Sequence, residues 1–159
     1  MKKTNKFILV VFLLFVSVSF YGQNLKIMTY NIRLDVASDG ENAWPKRKDY
    51  FTSQIQFYSP EIFGVQEATP NQVIDIAGAF PNYNRFGIGR EENGTGEACT
   101  IYYKKDRFKV LDSNTFWLSE TPNVVSRGWD AACNRVCTYG LFKDLKTKQV
   151  LYRHQFISC

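Results

Sequence analysis

The sequence predicts an α/β (α+β) domain with one mixed, mostly antiparallel sheet and flanking helices. Three observations predict it. Between about residues 25 and 80, short apolar runs alternate with stretches whose apolar residues recur at helical spacing, a β-α-β-α pattern. From residue 83 onward that alternation stops, and several short strand-like runs follow one another with brief turns. The chain also holds 13 Phe, 9 Tyr and 3 Trp, side chains that fit a pleated, half-buried surface. At 159 residues and 45% hydrophobic there is room and apolar material for one domain, and nothing argues for wholesale disorder.

The first 22 residues stand apart. Lys2, Lys3 and Lys6 form a basic start, Phe7 to Phe20 is an apolar run, and Ser17, Ser19 and Gly22 supply small residues for cleavage. This reads as a secretory signal peptide; the run is short for a membrane span, which needs about 20 residues. The expected division is residues 1–22 as signal and 23–159 as the domain. The expected location is exported: periplasmic, cell-surface or secreted, with no transmembrane segment after cleavage. The leader also carries three of the charges behind the net +5, so the remainder is near +2. Nucleic acid is therefore not favoured as a partner, since a strongly basic surface is its usual footprint.

Taken in order, Leu25 to Tyr30 reads as a buried strand and Asn31 to Asn42 as a polar loop. Trp44-Pro45 opens a helix, because proline is tolerated in the first turn. Tyr50, Phe51, Gln54, Ile55 and Tyr58 form its expected apolar face, and Ser59-Pro60 ends it. Ile62 to Val65 is a short strand. Thr69-Pro70 repeats the helix-start signal, and Val73, Ile74, Ala77 and Phe80 form the second helical face. A right-handed crossover should lay the first two strands parallel. Tyr83–Ile88, Cys99–Lys104, Phe108–Leu111 and Phe116–Leu118 read as strands, 119–134 as a long loop, and Arg135–Phe142 with Gln149–Phe156 as a hairpin. Cys133 and Cys137, four apart, are about 13 Å apart if they share a strand, too far for a disulfide; in a loop a bridge remains open. Small buried hydrophobes is the plainer reading of Cys99, Cys133, Cys137 and Cys159.

Two residues stand where chemistry is placed in α/β folds, at the carboxyl ends of neighbouring strands. Asn31 closes the first strand, and Glu67, in Gln66-Glu67, closes the second. One carboxylate with waters and a substrate phosphate is enough, in kind, to seat Mg²⁺. The plainer alternatives are a turn-stabilising Asn and a solvated Glu.

The same stretches resemble the endonuclease/exonuclease/phosphatase superfamily of metal-dependent phosphoesterases, closest to its exported bacterial branch. The resemblance runs from about Leu25 to Lys148. It is carried by Met28-Thr29-Tyr30-Asn31-Ile32-Arg33, Trp44-Pro45-x-Arg47, Gly64-Val65-Gln66-Glu67, Gly87-Ile88-Gly89-Arg90, Gly96-Glu97, Phe116 to Pro122, Trp129-Asp130 and Arg135-Val136-Cys137-Thr138. It implies a four-layer sandwich of two sheets with outer helices, and hydrolysis of a phosphate-ester substrate with Mg²⁺ or Mn²⁺. By that resemblance Glu67 binds the metal and Asn31 helps position the metal–phosphate assembly, making both catalytic and metal-site candidates. Arg135 and Arg90 are candidate phosphate contacts, with a surface strand Arg as the alternative for Arg135. Trp44 and Trp117 are read as packing residues.

The resemblance then departs. Where the family's Asn-Thr-His-x-Asp-His strand end should appear, the sequence reads Val150 to Cys159 instead; the Asp-x-Asn and Ser-Asp-His pieces are absent as well, and His154, at the wrong offset, does not take their role. The expectation is a partial sandwich lacking its second sheet: a truncated or frame-shifted chain with little activity, whose bare sheet face invites self-association. The competing reading is a non-catalytic exported binding module.

Overall fold

The computed structural model describes residues 24–157, with side chains up to Leu151; the expectations for the leader, His154 and Cys159 lie outside these. Strand β1 (Ile27–Asn31) and strand β2 (Ile62–Ala68) are joined by helix α1 (Trp44–Tyr58). They pair parallel, with Ile27 opposite Ile62 and Asn31 opposite Gln66. Helix α1 begins with a proline in its first turn and stops where Ser59 turns left-handed (φ 44°) before Pro60. Helix α2 (Pro70–Ala79) opens with a capping box: Thr69 and Gln72 satisfy each other's backbone N–H groups, which secures the first turn. Strands β3 (Tyr83–Phe86) and β4 (Ala98–Lys104) complete a four-stranded sheet in the order β1-β2-β4-β3, with β4 antiparallel to both neighbours.

The remaining strands, β5 (Phe108–Trp117), β6 (Val136–Asp144) and β7 (Val150–Ile157), form a second, three-stranded antiparallel sheet. The mixed sheet with its helices is as the sequence predicts; the later strands do not extend it but pack against it. The expectation of a bare inner face is thus corrected. Ile62, Ile101 and Cys99 of the first sheet meet Phe108, Trp117, Val136 and Phe142 of the second in one buried cluster. Gly140 permits this contact, since a Cβ there would lie 2.5 Å from the Phe86 ring. On the other face of the first sheet, Phe63, Val65 and Tyr102 pack under Phe51, Ile55, Val73 and Ile76 of the helices. Phe63 and Tyr102 stack at 4.7 Å between ring centroids.

Two further expectations change. The two expected strands are one, Phe108–Trp117: the polar Asp112-Ser113-Asn114 reads as a turn but lies on exposed strand backbone after a bulge between Val110 and Asp112. The helical faces are also rotated. Tyr50 (65% exposed) and Ile74 (67%) point outward, while Trp44 and Ile76 are buried. The packed stripe is Val73 and Ile76 on α2 with Phe80 just past its end, spaced i, i+3 and i+7. Cys99 and Cys137 are buried and Cys133 half-buried, all three as free thiols. No helix among the described residues is long and apolar enough to cross a membrane.

Candidate metal and phosphate site

Parallel pairing in register brings the ends of β1 and β2 to one edge of the sheet. The pairing continues one step past β1, where the Ile32 N–H donates to the Gln66 carbonyl (3.2 Å). There β2 bulges, its register shifting between Val65 and Ala68, and Glu67 adopts φ +60°. A left-handed non-glycine residue at a bulge re-aims its side chain at a cost. The result is direct: the Asn31 side-chain amide donates from Nδ2 to Glu67 Oε1 at 2.7 Å. Asn31 Oδ1 in turn accepts the Arg33 N–H at 2.9 Å. Beneath this pair the buried Gln66 amide donates to Thr29 Oγ1 at 3.0 Å.

The backbone leaving Asn31 is held from both helices. The Arg47 guanidinium donates to the carbonyls of Ile32, Arg33, Leu34 and Asn42. Gln72 donates to the Arg33 carbonyl (2.8 Å), and Asn71 to the Asp35 carboxylate (2.7 Å). Arg33 closes the loop on Asp39 at 2.6 Å, and that pairing lowers the Asp39 pKa below its ordinary value. Asn31 therefore stands on backbone fixed at several points.

The facing wall comes from the start of β4 and the start of β6. Glu97 directly precedes β4, and Arg90 Nη2 pairs with its Oε1 at 2.7 Å. The Glu97 side chain is only 12% exposed. Burial raises its pKa; Arg90 opposes the rise, the Glu67 carboxylate adds to it, and Arg135 counters it. Glu97 thus lies within the electrostatic reach of both Glu67 and Arg135. The wall is braced by Trp117, whose indole N–H donates to the Arg90 carbonyl (2.8 Å), and by Asn134, which donates to Glu91 (2.8 Å). The Arg135 carbonyl accepts the Leu118 N–H at 2.8 Å.

Of the four expected residues, Asn31 and Glu67 touch; Arg90 is engaged by Glu97, and Arg135 reaches the group only electrostatically, through Glu97. Trp44 and Trp117 are both buried packing residues. Glu97 is the member that sequence reasoning left without a role. Its one signal was Gly96-Glu97, a glycine at φ +74° setting a carboxylate before a strand.

The donors gathered here are oxygens: the second Glu67 carboxylate oxygen, the Asn31 amide oxygen, which already accepts the Arg33 N–H, and the Glu97 carboxylate, which is paired with Arg90. Among the described residues no three His, Cys, Asp or Glu side chains gather into a cage. One or two carboxylates, with the rest of the shell left to water and phosphate, is how Mg²⁺ and similar hard cations are usually held. The donor set fits such an ion.

The profile of the Endonuclease/Exonuclease/phosphatase family matches residues 28–141. The chain belongs to this family. Solved structures agree. An endonuclease/exonuclease/phosphatase from Bacteroides vulgatus is 39% identical, with a TM-score of 0.81 over 84% of this chain and 52% of its own. A mannosyl-6-phosphatase from Bacteroides thetaiotaomicron is 35% identical, with a TM-score of 0.76 over 84% and 49%. A functionally unknown conserved protein from Enterococcus faecalis is 34% identical, with a TM-score of 0.74 over 83% and 51%. This chain spans about half the length of these relatives. A search of curated proteins finds no match.

Proposed function

We propose that this chain carries the amide–carboxylate side of a divalent-metal-dependent phosphoesterase site, of phosphodiesterase or phosphatase type. The observation that carries the reading is the 2.7 Å contact between Asn31 and Glu67 at the shared edge of two parallel strands. Glu67 would hold Mg²⁺ or Mn²⁺, and the bound ion would neutralise phosphate charge and polarise the ester. Asn31 fixes the orientation of the Glu67 carboxylate through its side-chain amide N–H. Arg135 is the phosphate contact, its guanidinium suited to two phosphate oxygens. Arg90 is the second candidate for that role; its pairing with Glu97 makes it a brace for that carboxylate as well.

Membership of the family supports a phosphate ester as substrate. The 35%-identical mannosyl-6-phosphatase supports a small phosphomonoester over a nucleic acid, in line with the near-neutral charge of the domain. Residues 1–22 are proposed as an export signal, which places the domain outside the cytoplasm.

Metal-linked stability tests the reading. Saturating Mg²⁺ or Mn²⁺ is expected to raise the unfolding midpoint of the parent protein, by about 2.7 kcal/mol at a hundredfold excess over Kd. The Glu67→Gln variant should lose that rise and keep its fold. An equal rise in the variant would refute Glu67 as the ligand; no rise in either protein would favour the non-catalytic module.

A further inference from the structure

The end of the sandwich opposite Asn31 and Glu67 is basic. Its turns form one surface, joined by backbone hydrogen bonds. The Glu61 N–H donates to Lys26 (2.8 Å), the Lys104 N–H to Glu61 (3.0 Å), and the Leu145 N–H to Arg107 (2.8 Å). Lys26, Lys104, Lys105, Lys146 and Lys148 lie on it. Two of its three carboxylates, Glu61 and Asp144, are taken up by the buried Arg107, which leaves Asp106. Lys105, Lys146 and Lys148 have no carboxylate partner among the described residues. Lys109 and Lys143 face each other across β5 and β6 in register, and like charges directly opposite are unfavourable until an anion lies over them.

Apolar side chains stand among these lysines. Phe57 is 80% exposed, with Tyr58, Leu145 and Val150 exposed nearby. The Phe57 and Tyr58 rings support each other edge to face at 5.0 Å. Beside them a groove of about 550 Å³ has Ile55, Phe80 and Tyr83 in its walls and Lys104 and Lys105 at its mouth. Strand β1 starts at this end.

We propose that this end docks on an anionic phospholipid bilayer. Phe57 and Leu145 enter the interface, the lysines lie against headgroup phosphates, and the Asn31–Glu67 edge faces away from the membrane. Free lysines interleaved with exposed apolar side chains match a bilayer surface, which takes both. A nucleic acid would use the charges and leave the apolar groups in water, and the one arginine of this face is buried and paired. The proposal is independent of the phosphoesterase reading.

The test uses the full chain carrying Phe57→Trp, with the new indole read as the difference from the parent chain, whose own exposed tryptophan is Trp129. The new indole's emission should shift to the blue on vesicles of phosphatidylcholine mixed with phosphatidylglycerol, and stay unchanged on phosphatidylcholine alone. Neutralising Lys105, Lys146 and Lys148 to Gln should weaken the partition roughly fivefold for each lysine. Co-sedimentation of the parent protein with the same vesicles, against the triple lysine variant, reads the same loss without the new indole. An equal shift on phosphatidylcholine, or one untouched by the lysine changes, would overturn the proposal in favour of simple apolar adsorption. A short DNA duplex that binds through these lysines while vesicles do not would overturn it in favour of nucleic acid. No binding to either would leave the lysines as a solvated face and overturn it as well.

Discussion

Glu67 combines two properties that a pair of substitutions can separate: a carboxylate that meets Asn31, and a backbone at φ +60°. A left-handed non-glycine residue costs on the order of 1 kcal/mol or more, and glycine is relieved of most of that. Glu67→Gly should therefore be nearly neutral for the metal-free fold, within about 1 kcal/mol, yet abolish metal-linked stabilisation. Glu67→Ala keeps the strain and loses the carboxylate, so it should be the less stable of the two; urea unfolding with and without Mg²⁺ checks both. A second residue-scale expectation concerns Asp144. Burial alone would raise its pKa, but the N–H groups of Lys146 and Thr147 and the Arg107 guanidinium outweigh burial and leave it lowered. A lowered folded pKa adds stability above the unfolded value, near 3.9, and that stability is lost as pH falls through the folded value. Asp144→Asn should cost about 1–3 kcal/mol at neutral pH, since it leaves the buried Arg107 with Glu61 as its one remaining carboxylate partner among the described residues, and should flatten the acid limb of a stability–pH curve below about pH 4. Asn31 and Glu67 were legible in the sequence because each closes an apolar run. Glu97 was not, because its surroundings come from Arg90, Glu67 and Arg135, which only the folded chain brings near.

Elements were legible where punctuation is chemical. Trp44-Pro45 and Thr69-Pro70 mark both helix starts, and Ser59-Pro60 marks an end, because proline and capping side chains act through the local backbone alone. Faces and sheet membership were less legible. Tyr50 and Ile74 look like core residues by type, and only the position of the sheet decides that they face water. The split into two sheets rests on a contact that no local signal announces: Gly140 against Phe86. A methyl group at Gly140 would lie 2.5 Å from Phe86 Cζ and 3.0 Å from Phe142 Cε2. Forcing extra volume into a packed interface typically costs about 1–3 kcal/mol, so Gly140→Ala should destabilise by that amount. Phe86→Leu alone should also destabilise, by removing ring contacts with Phe142 and Tyr103. Together the two should cost less than the sum of their separate effects, because the smaller side chain vacates the space the methyl needs. Strict additivity in a double-mutant cycle would show that the methyl is absorbed elsewhere.

At the scale of the molecule, one sheet carries two cores. Phe63 belongs to the cluster under the helices, and Phe142 to the cluster between the sheets. Both clusters are anchored on β2 and β4, through Phe63, Val65 and Tyr102 on one face and Ile62, Cys99 and Ile101 on the other. A strand that contributes alternate residues to opposite cores cannot lose one face and keep its pairing intact, so the two layers should unfold together. Either Phe63→Ala or Phe142→Ala should cost about 3–5 kcal/mol, a large share of the stability of a domain this size. The sharper expectation concerns the coincidence of signals. The described helices pack on the first core only, so the far-UV helical signal reports that layer, while near-UV aromatic ellipticity reports both layers. In Phe142→Ala the two signals should still fall at one denaturant midpoint, shifted downward together. If the helical signal keeps the parent midpoint while the aromatic signal moves, the β5-β6-β7 sheet is an independent layer, and the shared strands do not couple the cores.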